Sequence, residues 1–254
     1  MQTQIVEFED LGEKDYKSVW DYQETLLQEN IRIKASIASP VLIDNDNSVM
    51  KEKPDTTNYL LFVEHPPVYT LGKSGKIEHV LINEEERRTR GIEFFHTNRG
   101  GDITFHGPQQ LVGYPIFDLE KFYTDIGRYL RELEEVIILT LAEYGISAGR
   151  SAGETGVWID AHIPGKERKI CAMGVRCSRW ITMHGFALNV NTDLNYFNYI
   201  IPCGIQNKKV TSIKEELGRE VSMDELKKRV KKNFETVFNV LIKPINKTQK
   251  SFDK

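Results

Sequence analysis

Cysteine is scarce: the chain has only Cys171, Cys177 and Cys203, and no CxxC spacing. An odd number without paired spacing argues against a disulfide framework and for a reducing compartment. Long apolar runs are lacking as well, and no window approaches the roughly 20 residues that cross a bilayer. The first residues, "MQTQIVEFEDLGEKDYKSVW", carry acidic side chains early and no cationic segment leading into an apolar run, so no signal or transit peptide is expected. Positive charge is not in excess: 34 Lys and Arg against 37 Asp and Glu leave −3, which gives the whole molecule no electrostatic case for nucleic acid. The six histidines show no ligand spacing such as HxxxH, so no metal is expected. The expectation is a cytoplasmic protein with no membrane and no nucleic acid partner.

What the chain does have is an ordinary globular balance, 40% hydrophobic and 28% charged, over a length that allows one large domain. Apolar residues recur at helical spacing over 14–33 and over 125–144, the latter followed by Gly145 at a C-cap position. A third helix is predicted over 222–242, opened by the capping-box pair Ser222 and Glu225, with Leu226, Val230, Phe234, Val237 and Leu241 on one face. Strands are predicted at "YLLFVEH", at "IEFFHTN", in "GETGVWIDAHIPGKERKICAMGVRC" on both sides of a turn at Pro164 and Gly165, and at "HGFALNVN". Residues 44–58 are polar and aperiodic, a surface loop or insertion to which no function is assigned. With no repeat and no break in composition, the reading is one mixed α/β (α+β) domain over 1–245 and a frayed tail at 246–254.

Three stretches can carry chemistry. In "RGGDITFHGP", Gly100 and Gly101 let main-chain N–H groups face a ligand, with donors from Arg99 and His106 beside them; a bare glycine pair is otherwise only a turn. The stretch is neither a phosphate loop nor a dinucleotide fingerprint. In "IIPCGI", Cys203 lies between proline and glycine, on a fixed turn where a thiol can meet a substrate; the alternative is a small buried apolar side chain. For Cys171 and Cys177, inside or ending strand text, the core reading holds. In "RKICAMGVR", Lys169 opens an apolar strand, either simply solvated or with its ammonium at a pocket rim, where it would favour thiolate over thiol in a neighbouring cysteine.

Together with "EHPPVYTLGK", "GVWI", "HGFALNVN" and "VTSI", in this order over most of residues 15–240, these stretches resemble the lipoyl(octanoyl) transferase family. The resemblance implies the biotin/lipoate protein ligase catalytic-domain fold, a mixed sheet with flanking helices. It implies octanoyl transfer, without ATP or another cofactor, from octanoyl-acyl carrier protein to a lysine of lipoyl domains of 2-oxoacid dehydrogenase complexes and of glycine cleavage H protein. The family's catalytic pair falls on Cys203 and Lys169. Its acyl-binding segments fall on Arg99, Gly100, Gly101, Asp102, Ile103, Thr104, Phe105 and His106, on Ala172, Met173 and Gly174, and on Gly185, Phe186 and Ala187. Because both protein substrates of that reaction expose acidic surfaces, a basic rim is expected from Lys73, Lys76, Lys208 and Lys209.

One departure stands out. The family writes HGPGQ where this chain has HGPQQ, so Gln109 replaces a glycine. If the position needs positive φ, glutamine costs roughly 1 kcal/mol; if it faces the pocket, glutamine narrows it. Two enzymatic rivals share parts of the pattern. An ATP-dependent lipoate or biotin ligase would use the lysine but has no need of Cys203, and a Cys–His hydrolase would take His184 or His106 as base. A third rival only binds lipoyl domains, and it rests on Gln109.

Overall fold

The computed structural model describes residues 3–38, 54–201 and 209–245. The first strand, β1 (Gln4–Glu13), precedes a long helix, α1 (Tyr16–Ala38). After it come β2 (Asn58–Glu64) and β3 (Val68–Leu71), then a short helix, α2 (Glu84–Thr89), and β4 (Glu93–His96). The "RGGDITFHGPQQ" stretch folds as a loop, β5 (Ile103–His106), a turn and β6 (Gln110–Ile116). Helix α3 (Ile126–Ala142) follows, capped by the Asp125 side chain, which accepts from the Arg128 N–H. Strands β7 (Val157–Ile159), β8 (Arg168–Ser178) and β9 (Ile181–Asn189) come next, and β10 (Lys209–Val210), α4 (Ile213–Leu217), α5 (Met223–Phe238) and β11 (Val240–Pro244) end the described chain.

Most strands form one mixed sheet in the order β10-β8-β9-β6-β2-β1-β11, with β7 pairing on β8. The centre is antiparallel and the β2-β1-β11 side parallel. A second sheet, β4-β3-β5, stands beside it. Helices α3 and α5 cover one face of the large sheet: Tyr129, Leu133, Ile137, Phe234 and Phe238 meet Phe62, Leu111, Phe186 and Leu188. On the other face, Val19, Leu26 and Leu27 of α1 pack on Leu61, Val63, Val112, Met183 and Ala187. Ile103 and Phe105 of the small sheet bury against Phe197 and Ile200. Each face needs a cover because alternating side chains make both faces of the central strands apolar.

Most sequence expectations match this mixed α/β arrangement, and one helix ends early. Asn239 adopts φ 51°, which stops α5, and the chain turns into β11 beside β1. Leu241 is therefore a strand residue, 46% exposed, and not part of the helix's buried face. Ser222 caps α5 as expected, accepting from the Glu225 N–H, while the Glu225 carboxylate pairs with Arg229. Strand β1 had no expectation. Of the polar 44–58 stretch, residues 44–53 lie outside the described residues, as does the 246–254 tail.

Candidate active site

A cavity of about 580 Å³ opens where the small sheet meets β8, β9 and β6 of the large one. Its wall on the small-sheet side is the Arg99–Asp102 loop with the start of β5. Gly72 N–H donates to the Asp102 carbonyl, Lys73 N–H to that of Arg99 and Ser74 N–H to that of Gly101, so the loop is held along its length. Arg99, 8% exposed, adds a second lacing: Nη2 donates to the Thr70 and Asp102 carbonyls and to Thr70 Oγ1, and Nη1 to the Gly100 carbonyl. The Asp102 carboxylate lies 2.6 Å from His79 Nδ1.

The floor is β8 against β9, in the register Ala172↔Ala187, Met173↔Phe186 and Gly174↔Gly185. Two glycines permit close approach here. A Cβ on Gly174 would sit 2.7 Å from the Gly100 carbonyl oxygen, and one on Gly185 would sit 2.2 Å from that of Gly113. Gly100 N–H donates to the Val175 carbonyl, which seats the loop directly on β8.

Three histidines surround the polar part of the site. His106 hydrogen-bonds through Nδ1 to Gln110 Oε1 at 2.9 Å, and its ring lies parallel to that of Tyr16. His184, at φ 58°, bonds through Nε2 to Asn98 Oδ1 at 2.8 Å, and His65 bonds the Lys14 carbonyl and the Tyr114 hydroxyl. Burial holds all of them neutral: it pushes His65 down to about 4 and His184 to about 3, the latter helped by the Arg99 and Arg176 charges. His106 lies well below the ordinary value for the same first reason, with the Arg99 charge adding to it. A general base works best with a pKa near the operating pH, so these imidazoles are poor candidates.

Lys169 lines the cavity from the start of β8. Its backbone is fixed between Trp158 of β7 and Val210 of β10, and its Nζ lies 4.6 Å over the centre of the Trp158 ring. A hydrogen-bond chain joins it to the first motif. Gln110 Nε2 donates to Asn189 Oδ1, Asn189 Nδ2 to the Thr211 carbonyl, and Thr211 N–H to the Lys169 carbonyl.

The structure thus gathers Lys169, Arg99–Thr104, His106, Ala172–Gly174 and Gly185–Ala187 around one space. Phe105 is the exception: its ring stacks on Tyr196 at 4.6 Å inside the small-sheet core, on the opposite side of β5 from His106, and does not line the cavity. Strand alternation carries that signal in the sequence. Cys203 and Lys208 lie outside the described residues. On one side of that segment Ile201 N–H donates to the His79 carbonyl, and on the other Lys209 and Val210 pair with Arg168 and Lys169. Burial raises the thiol pKa of both other cysteines, Cys171 and Cys177.

Gln109 has φ 60°, a conformation suited to the family's glycine, and its side chain is not part of the cavity wall. It turns outward, where its Oε1 accepts from Asn191 Nδ2 and its carbonyl from Asn191 N–H and Thr192 Oγ1. Sequence reasoning missed Tyr16, Gln110, Tyr114, Asn189, Ile126, Leu130, Glu154 and Thr155, which also line the cavity. Tyr16, Ile126 and Leu130 were legible only as helix-periodic residues. Among the described residues, no group of three or more His, Cys, Asp and Glu is placed to hold a metal ion, and no helix is long and apolar enough to cross a membrane.

Comparison with known proteins places this arrangement. The family model described as the lipoyl protein ligase A/B catalytic domain matches residues 15–235. An octanoyltransferase of Flavobacterium johnsoniae is 57% identical over 240 residues, covering 93% of this chain and 98% of that one. One from Christiangramia forsetii is 54% identical over 239 residues, covering 94% and 97%. Among solved structures, a lipoate-protein ligase A bound with ATP superposes with a TM-score of 0.69 at 13% identity, over 96% of this chain and 89% of that one. The bi-partite lipoate protein ligase of Thermoplasma acidophilum, described with its E2 lipoyl domain, gives 0.65 at 16% identity, over 96% and 87%. At such identities the structural likeness speaks to the fold alone.

Proposed function

The chain belongs to the lipoyl protein ligase A/B catalytic-domain family, and on that premise we propose that it moves an octanoyl group from acyl carrier protein to a lysine of lipoyl domains by way of a thioester on Cys203. It is an acyltransferase of lipoate biosynthesis, as its octanoyltransferase relatives at 57% and 54% identity are named. The observation that carries the finer reading is the meeting of Lys169 with the three acyl-binding segments around one cavity.

In the first step the Cys203 thiolate attacks the carrier's thioester carbonyl. The bond from that carbon to the carrier's sulfur breaks, the departing sulfur takes a proton from the Lys169 ammonium so that the carrier leaves as a thiol, and an acyl-enzyme thioester of nearly equal energy forms. In the second step the lipoyl-domain amine attacks the same carbon, an amide forms, and Cys203 leaves. Lys169, left neutral by the first step, takes the amine's proton, so that Cys203 leaves as the thiolate and the starting ion pair is restored. Backbone N–H groups of the glycine-rich wall steady the oxyanion. The octanoyl tail lies along Met173, Phe186, Ile126 and Leu130, where burying about seven carbons contributes of order 5 kcal/mol.

The neutral histidines favour this reading over a Cys–His hydrolase, because neither His106 nor His184 is poised to take a proton. The test is intact mass after incubation with octanoyl carrier protein and no ATP. One octanoyl adduct, discharged by a lipoyl domain and absent in Cys203→Ser, is expected. Transfer that strictly requires ATP would return the protein to the ligases whose fold it shares, and free octanoate as main product would indicate a hydrolase.

A further inference from the structure

Glu134 is a carboxylate on the core side of α3, between the buried Leu133 and Val136, with no exposed surface. A charge so placed is costly unless it is paired and hydrogen-bonded. Its Oε2 meets Arg150 Nε at 3.0 Å and Arg131 Nη1 at 2.9 Å, and its Oε1 accepts the Gly156 N–H at 2.9 Å. Arg150 also grips the Arg131 carbonyl and Glu135. The segment from Arg150 to Gly156 is therefore stapled to the helix at both ends.

That segment leads directly to the site. Glu154 and Thr155 line the cavity. Gly156 has φ 117°, and a Cβ there would sit 2.5 Å from the Cys171 carbonyl oxygen, so the backbone lies flat on β8. Two residues on, Trp158 pairs with Lys169, and its ring is the surface on which the Lys169 ammonium rests at 4.6 Å.

We propose that Glu134 is a positioning residue for acyl transfer: through the Gly156 N–H it fixes residues 154–158, so that Trp158 holds Lys169 at the cavity and Glu154 and Thr155 keep the wall in place. This rests on Lys169 acting as the proton relay. Glu134 touches no substrate, so its removal acts through misplacement and lowers kcat far more than it moves KM.

The test uses the full chain, octanoyl carrier protein and lipoyl domain, with melting curves for every variant. Glu134→Leu removes the acceptor and is expected to lower kcat about 30-fold, toward the hundredfold that a 1 Å misplacement costs, with both KM values within about twofold. Glu134→Gln keeps an acceptor for Gly156 and is expected to restore kcat to within about threefold of wild type. Trp158→Leu is expected to reproduce the kcat loss, and Trp158→Phe, which keeps a ring face, to relieve it. A folded Glu134→Leu with wild-type kcat overturns the inference; should that variant not fold, wild-type kcat in Trp158→Leu does so. Lys169→Met separates the two levels. If it is inactive while Glu134→Leu is normal, only the Glu134 role falls; if it is fully active, the relay falls and the Glu134 role with it.

Discussion

Replacing Gly174 by alanine tests the close seating of the glycine-rich wall on β8. The added Cβ would stand 2.7 Å from the Gly100 carbonyl oxygen, 3.3 Å from Arg99 Nη1 and 3.4 Å from Arg99 Cδ. An ordinary contact needs about 3.4 Å or more, so the backbone at Gly100 has to withdraw by roughly 0.7 Å. It cannot do so freely, because Gly100 N–H is bonded to the Val175 carbonyl on the same strand and Arg99 is laced to Thr70. Overpacking of this kind costs about 1–3 kcal/mol, which for a chain of this size lowers Tm by about 2–10 °C. The same shift displaces Arg99, Gly101 and Asp102 of the cavity wall, and on the proposed reading kcat/KM for octanoyl transfer should fall at least about tenfold.

Gly100→Ala is the matched control for stability, since its Cβ would find only the Val175 carbonyl oxygen, at 3.4 Å. Its Tm should stay within about 2 °C of wild type. Thermal melts and steady-state transfer on both variants decide the matter. Gly174→Ala with wild-type Tm and kcat/KM, or Gly100→Ala as destabilised as Gly174→Ala, would refute the seating argument.

Gln109→Gly should relieve about 1 kcal/mol of left-handed strain and lose a hydrogen bond to Asn191 of similar worth; Tm should move by less than about 3 °C, and the chain-length profile should not move at all. The neutral histidines make the fold acid-sensitive. Their folded pKa values lie below the ordinary 6.5, so the unfolded chain takes up protons first, and stability is lost as pH falls from about 6.5 toward His65's 4 and His184's 3. With three such groups the slope reaches about 4 kcal/mol per pH unit, and denaturant melts between pH 7 and 5 that show no loss would contradict it. Iodoacetamide at neutral pH should modify Cys203 and leave Cys171 untouched, because burial raises the Cys171 thiol; peptide mapping that finds Cys171 labelled in folded protein would count against that placement. Lys73, Lys76 and Lys209 are exposed, as a rim for acidic protein substrates requires, and added salt should raise KM for carrier and lipoyl domain with little change in kcat.

Helices α1, α3 and α5 were legible because their apolar residues follow one period and their caps are short-range signals, Asp125 and Ser222 among them. What stayed hidden depends on contacts distant in sequence. Strand β1 reads as a charged segment, "QIVEFEDLGE", yet it lies inside the sheet between β2 and β11, with only Val6 and Leu11 buried along it. Leu241 kept the helical period while Asn239 had already broken the helix. Glu134 lies among Arg131, Glu132 and Glu135 and reads as one more solvated charge, whereas it is buried against Gly156 and Arg150, 22 and 16 residues away. For Gln109 the sequence posed the right alternative, positive φ or a narrowed pocket, and only coordinates separate the two.

Arg99 is a buried cation, and its charge helps hold His106 and His184 neutral. A site so arranged spends its positive charge on shaping the wall, with the guanidinium directed at the carbonyls of Thr70, Gly100 and Asp102. The imidazoles serve as hydrogen-bonding struts: His106 orients Gln110, and Gln110 leads through Asn189 and Thr211 to the backbone of Lys169. In the reaction proposed above, proton transfer then falls to a group outside this neutral network. Lys169 stands at the network's far end, between Trp158 and the strand that follows the Cys203 segment in sequence. Arg99→Met removes one charge that lowers His184 but leaves the larger cause, burial, in place, so it should damage the wall, read as a fall in kcat/KM for octanoyl transfer, without making free octanoate the main product.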